Sequence, residues 1–278
     1  MNSSHPAQKR LIVVLGMHRS GTSALSRSLP VFRIELGDQL LPAVAGDNDK
    51  GFWEDVDVYR VNVDILGVLH AAWDSSSHLP VSEMEPGALA QMRQRGLELM
   101  KAKLSNRSVF GMKDPRFSLL LEYWQPIFRE LDLRVTYLLA VRNPLSVAHS
   151  LHARNGIAHS KCYGLWLAHT LGALRGTRGE ERLCVDYDEV LLEPGRQLKR
   201  IGRVLEREAD ETAAEEYIAQ FLDQQLRHTR FFIGDLESAA DTPPGICEIY
   251  SLVRHAAIDD SSQAWGAIEE YLATMTTI

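Results

Sequence analysis

The sequence predicts an α/β fold, a three-layer arrangement in which helices flank a central, mainly parallel sheet. Three observations carry that expectation. Short apolar runs such as Leu11–Leu15 are too short for helices and lack the alternation of a half-exposed strand, so they read as strands covered on both faces. These runs alternate with segments of helical apolar spacing, as βαβ units require. The first run also ends in a glycine-containing turn that opens a helix.

Taken in order, residues 1–9 read as a disordered leader, and residues 10–278 as one domain with a helical C-terminal end. The first strand, Leu11–Leu15, leads into a helix from about Ser20 to Leu29, stopped by Pro30. After a loop, helical spacing returns from Glu54 to Ala72, and again behind Pro86 up to Leu104. A short strand, Ser108–Met112, precedes Lys113-Asp114-Pro115 and a helix over Leu119–Leu131. The strand Arg134–Val141 is followed by a helix opening at Pro144 and by an apolar helix ending at Gly176. Arg182–Tyr187 gives a fourth strand, and helices fill most of the remainder.

Bulk properties narrow the partners. The 278 residues are 45% hydrophobic and 24% charged, ordinary for a globular chain with a sizeable core. A formal charge of -7 disfavours nucleic acid or an anionic membrane as the main partner, so an anion has to be met by a local basic pocket. The three cysteines, Cys162, Cys184 and Cys247, show no metal-ligand spacing, and their odd number fits a reducing compartment. No stretch approaches the roughly 20 apolar residues of a spanning helix. A soluble, cytoplasmic protein without a transmembrane segment is expected.

The chemistry concentrates in "LIVVLGMHRSGTSAL". A phosphate-binding P-loop reads G-x-x-x-x-G-K-[ST], and here Gly16 and Gly21 hold the spacing while Thr22 stands in place of the lysine. A strand, a glycine turn and a helix start bring backbone N–H groups together on an anion. Ser20, Thr22 and Ser23 add hydroxyls, and Arg19 supplies a cation inside the loop. A structural turn that merely caps a helix is the bland alternative.

"HRSGTS" resembles the 5′-phosphosulfate loop of sulfotransferases that use 3′-phosphoadenosine 5′-phosphosulfate (PAPS), in which a Lys or Arg precedes S-G-T. The resemblance implies a P-loop-containing α/β fold, PAPS as co-substrate and no metal requirement. It places His18, Arg19, Ser20, Gly21, Thr22 and Ser23 at the cofactor. Arg142 at a strand end and Ser150 on the next helix resemble the family's 3′-phosphate motif; alone, they read equally as a surface arginine and a helix serine. The late segment Val185–Ile201 resembles the family's strand-to-helix segment. "LRHTRFF", Leu226–Phe232, is either a late basic contribution to the 3′-phosphate or a solvated turn.

Sulfuryl transfer requires a base for the acceptor proton and cations for the charge that develops. The segment "DNDKGFWEDVDVY" resembles one in bacterial sulfotransferases and implies Glu54 as base, with Asp55, Asp57, His18 and His70 as rivals. Glu54 follows Phe52-Trp53, whose bulk can desolvate it; opening a helix is its plainer role. "KDPR" resembles an element of bacterial and carbohydrate sulfotransferases, with Lys113 toward the sulfuryl group and Arg116 toward the acceptor or an acidic partner. Trp53 and Trp73 are candidate sugar-stacking positions, whereas Trp124 and Trp166 fit core patterns. The expected partner is a small-molecule or glycan acceptor. Two other readings stay open: an ATP-dependent small-molecule kinase, and a catalytically idle PAPS-binding module. Neither the acceptor nor the oligomeric state is written in the sequence.

Overall fold

The computed structural model describes residues 8–44, 48, 50–76, 79–222 and 231–275. Four strands, β1 (Arg10–Leu15), β2 (Val109–Lys113), β3 (Arg134–Val141) and β4 (Glu181–Asp186), form one all-parallel sheet in the order β2-β1-β3-β4. The helices are α1 (Thr22–Arg27), α2 (Val56–Val68), α3 (Pro86–Lys103), α4 (Phe117–Glu130), α5 (Pro144–Asn155) and α6 (His159–Gly176). They continue with α7 (Tyr187–Leu192), α8 (Pro194–Leu205), α9 (Glu211–Glu216), α10 (Ile233–Ser238), α11 (Ile246–Ile258) and α12 (Ser262–Thr274).

Strand alternation explains the three layers. Leu11, Val13 and Leu15 of β1 join a core with α2 to α6, α11 and α12, while Ile12 and Val14 join Leu25 of α1, Val190 of α7 and Leu198 of α8 on the opposite face. The five apolar side chains of β1, Leu11 to Leu15, are fully buried. Each large apolar side chain removed from water contributes roughly 1.5–3 kcal/mol, which favours the unbroken apolar run of β1 from Leu11 to Leu15. Trp124 and Trp166 are core residues, as their helical spacing indicates.

The element boundaries differ from the sequence reading for local reasons. α1 starts at Thr22 rather than Ser20 because Gly21 adopts a left-handed backbone, φ 86°. Pro30 does not end that helix; it sits at the start of a separate 3₁₀ turn, Leu29–Phe32, where a missing N–H costs nothing. α2 starts at Val56 because the Asp55 carboxylate accepts from the N–H groups of Asp57 and Val58 and caps it. β2 runs one residue further than expected and includes Lys113. Lys9, read with the leader, bonds the carbonyl of Leu104, and its own carbonyl accepts from Arg134 N–H. Among the described residues no helix is long and apolar enough to cross a membrane.

Candidate active site

From β1 the chain crosses to β2 on one side and then to β3 on the other, so strand order reverses between β1 and β3. Open parallel sheets bind ligands outside the carboxyl ends of their strands at such a reversal. The loop after β1 and Arg142 after β3 meet there. Arg142 Nη1 donates to the carbonyl of Arg19 at 2.9 Å, and Arg19 Nε donates to Ser150 Oγ on α5 at 2.8 Å.

Two glycines are obligatory in that loop. A Cβ at Gly16 (φ 137°) would stand 2.8 Å from the Ala140 carbonyl oxygen, and one at Gly21 would stand 2.3 Å from the Tyr187 ring. The same ring carries the Arg142 guanidinium 4.8 Å above its centroid, a cation–π contact. Arg19 itself has φ 69°, a conformation that costs a non-glycine residue about 1 kcal/mol or more.

At the end of β2, Lys113 Nζ lies 2.6 Å from Glu54 Oε1, 2.8 Å from the Phe52 carbonyl and 3.4 Å from Ser23 Oγ. Glu54 and Lys113 are 4% and 3% exposed, so they form a buried ion pair. Burial pushes the Glu54 carboxyl up, Lys113 pulls it down and Asp114 pushes it up again; the net result is above the usual glutamate value. Ser23 donates to the Phe52 carbonyl at 3.2 Å and accepts from Asn48 Nδ2 at 3.1 Å. Arg116 bonds Asp114 at 2.8 Å, stands 3.8 Å from Glu54 Oε2 and lies over the Tyr59 ring.

These groups surround one cavity of about 170 Å³. His18, Arg19, Gly21, Thr22, Ser23, Glu54, Lys113 and Arg142 all line it, and Glu54 is the one carboxylate among the described lining residues. Ser20 is buried and stays off the cavity wall; its N–H closes a turn onto the Met17 carbonyl. Ser150 stands behind Arg19, and Arg116 behind Glu54. Trp53 also stays off the wall: its Nε1 donates to the Lys50 carbonyl, Arg27 lies over its ring, and Phe221 packs against it edge-on. The rival carboxylates Asp55 and Asp57 bind Lys103 at 2.8 and 3.0 Å, away from the cavity, and His70 is exposed at the end of α2. His18 is held neutral, its pKa lowered chiefly by burial and further by His169 and the cations Arg116, Lys113 and Arg154. Its Nε2 is buried without a hydrogen-bond partner among the described residues.

Arg154, Lys50, Tyr187, Leu191, Phe221 and Leu222 also line the cavity and were not singled out from the sequence. A signal existed for Arg154, which stands four residues after Ser150 on the same helix face. Phe221 ends a π-helical turn, Tyr217–Phe221, whose last carbonyls accept from Lys50 Nζ at 2.9 Å. In the basic stretch Leu226–Phe232, residues 226–230 lie outside the described residues, while the carbonyls of Phe231 and Phe232 accept from Asn143 Nδ2. Among the described residues no group of three or more His, Cys, Asp or Glu side chains is placed to hold a metal ion.

No family model and no curated protein matches the chain. Solved structures do. Those similar to it include sulfotransferases. The sulfotransferase domain of the Synechococcus PCC 7002 olefin synthase is 15% identical, with 100% of this chain and 98% of that chain covered and a TM-score of 0.49. A sulfotransferase from Mycobacterium avium is 17% identical over 99% of this chain and 78% of that one, with a TM-score of 0.47. A retinol dehydratase in a complex with retinol and PAP is 14% identical over 98% and 84% of the two chains, with a TM-score of 0.39. At such identities the chemistry has to be read from the cavity itself.

Proposed function

We propose that the chain is a PAPS-dependent sulfotransferase that moves a sulfuryl group to a hydroxyl or amine of a small-molecule or glycan acceptor. The observation that carries this reading is the shared cavity in which the Glu54–Lys113 pair faces the loop of Arg19, Thr22 and Ser23, with Arg142 beside it. Its donor set of guanidinium, ammonium and hydroxyl groups suits a ligand with two anionic ends.

In this reading Arg142 holds the 3′-phosphate, joined by Ser150 when its hydroxyl exchanges the Arg19 contact for the phosphate, and Arg19, Thr22 and Ser23 hold the phosphosulfate. When bound, PAPS supplies the sulfuryl group and a bisphosphate leaving group. Glu54 takes the acceptor proton at its carboxylate, and its raised pKa makes it a stronger base than a solvated glutamate. Lys113 stabilises charge near the transferring group, and its bond to Glu54 aligns the carboxylate. The reading needs no metal. The chain's three cysteines, free in the structure, go with a soluble enzyme of a reducing cytoplasm.

Calorimetric titration with adenosine 3′,5′-bisphosphate (PAP), ADP and ATP, with and without magnesium, tests it. The expected result is magnesium-independent binding of PAP, with ADP at least about tenfold weaker, since a charged contact contributes roughly 1.5–3 kcal/mol. Preference for magnesium-ATP would make the protein a kinase. PAP binding without transfer from PAPS to any acceptor would make it an idle binding module.

A further inference from the structure

The cavity wall includes one arginine, Arg154, that is not assigned to the nucleotide. On α5, Ser150 meets Arg19, and one turn later Arg154 lines the same cavity. Residues four apart share a helix face and stand about 6 Å apart along the axis. Arg154 therefore lies further along α5 from its Pro144 end, where Arg142 leaves the sheet and stacks on Tyr187.

Its surroundings are those of the chemical step. Arg154, Lys113 and Arg116 all act on the His18 imidazole, and Lys113 and Arg116 are the ion-pair partners of Glu54. The guanidinium stands 5.7 Å over the Trp73 ring, which meets His18 edge-on at 4.8 Å. Arg154 Nε donates to Asn155 Oδ1 at 2.6 Å. The segment carrying Trp73 is tied to α6 by the Asp74–Lys161 ion pair at 2.5 Å. A stacked, anchored guanidinium presents its fork in a fixed orientation, as recognition of a carboxylate or sulfate requires.

We propose that Arg154 is the acceptor-recognition residue and that the acceptor is an anionic hydroxy compound, with a carboxylate or sulfate group besides the hydroxyl that receives the sulfuryl group. This rests on the sulfotransferase reading. The transfer forms an O–S bond to the acceptor and breaks the S–O bond to the 5′-phosphate, and the hydroxyl proton goes to Glu54. Arg154 takes no part in that exchange; it positions the acceptor. An anionic acceptor beside the Glu54 carboxylate needs a compensating cation, and Arg154 supplies it while His18 stays neutral.

The test uses the full chain saturated with PAP and two matched pairs: 4-hydroxybenzoate against 4-hydroxybenzamide, and p-nitrophenyl β-glucuronide against p-nitrophenyl β-glucoside. Calorimetry should show the carboxylate member of at least one pair binding about tenfold or more tightly than its neutral partner. Arg154→Met should erase that preference and leave PAP affinity within about twofold, and Arg154→Lys should restore part of it. No preference in the wild type, absence of binding by both pairs, or a preference that survives in Arg154→Met overturns the proposal. Failure of PAP itself to bind appears before any acceptor is added, and it removes the sulfotransferase reading instead.

Discussion

Lys113 and Glu54 come from segments 59 residues apart, the end of β2 and the approach to α2, yet their charged atoms are 2.6 Å apart and both side chains are almost fully buried. Removing one partner leaves the other charge buried and unmatched, which costs about 3–5 kcal/mol. Lys113→Met and Glu54→Leu should each lose that much stability in urea unfolding, and the double variant should lose clearly less than the sum. Additive losses would show that the pair is not coupled.

Glu54→Gln keeps the shape and removes the carboxylate proposed as the base. With an acceptor in hand, turnover should fall roughly 10²–10⁴-fold while PAP affinity stays within about threefold. The wild-type rate should rise with pH through a step above the ordinary glutamate range, because burial raises the Glu54 pKa and only the ionised form accepts a proton. That step should vanish in the variant. Near-normal turnover would take the base role from Glu54, and Asp55 and Asp57, bound to Lys103, would be poor heirs.

Arg142 is both a cation at the cavity and a plate stacked on Tyr187. Arg142→Ala should weaken PAP about tenfold or more and leave ADP affinity nearly unchanged. Arg142→Lys should recover little of the loss, because an ammonium neither stacks nor forks. Equal losses for PAP and ADP would remove the 3′-phosphate assignment.

Asp186 caps α7 through its Oδ1, while its Oδ2 is buried without a partner among the described residues. Burial, reinforced by Asp188, raises its pKa from 3.8 to about 6. The unfolded chain therefore loses this proton first as pH rises, and the native state loses stability from about pH 4 to about pH 6, by up to about 3 kcal/mol. Asp186→Asn should flatten that part of the stability curve and be relatively more stable at pH 7 than at pH 4. Parallel curves for the two proteins would contradict the assignment.

Gly21 and Gly179 both have positive φ, 86° and 77°, but a Cβ at Gly179 meets nothing within 4 Å, whereas one at Gly21 enters the Tyr187 ring. Gly179→Ala should cost only backbone strain, about 1 kcal/mol. Gly21→Ala should cost more than twice that in denaturant unfolding and should weaken PAP binding. Similar losses for both would mean that Tyr187 yields easily.

Much of the fold was legible because a strand buried on both faces leaves an unbroken apolar run, and β3 lies over the span expected, Arg134–Val141. Boundaries failed where backbone conformation or a cap decided them, as at Gly21 and Asp55. In the site, Arg19, Glu54, Lys113 and Arg142 were legible because they follow strands or open helices in recognisable strings. Ser20 shows the limit of a string: its hydroxyl type fits the loop, but the Met17 turn buries it. Tyr187, Phe221 and Lys50 reach the cavity only through the packing of α7 and the π-helical turn, which no local pattern encodes.

The position of β1 in the sheet has a consequence for biosynthesis. Its strand is made first, yet both neighbours come much later: β2 ends at Lys113 and β3 at Val141. Pairings this distant in sequence form slowly and late. On the ribosome, Leu11–Leu15 stays unpaired until β2 and β3 have emerged, an apolar segment of the kind chaperones hold. The cavity draws on residues from His18 to Leu222, so its wall is complete only after the last of these has been synthesised.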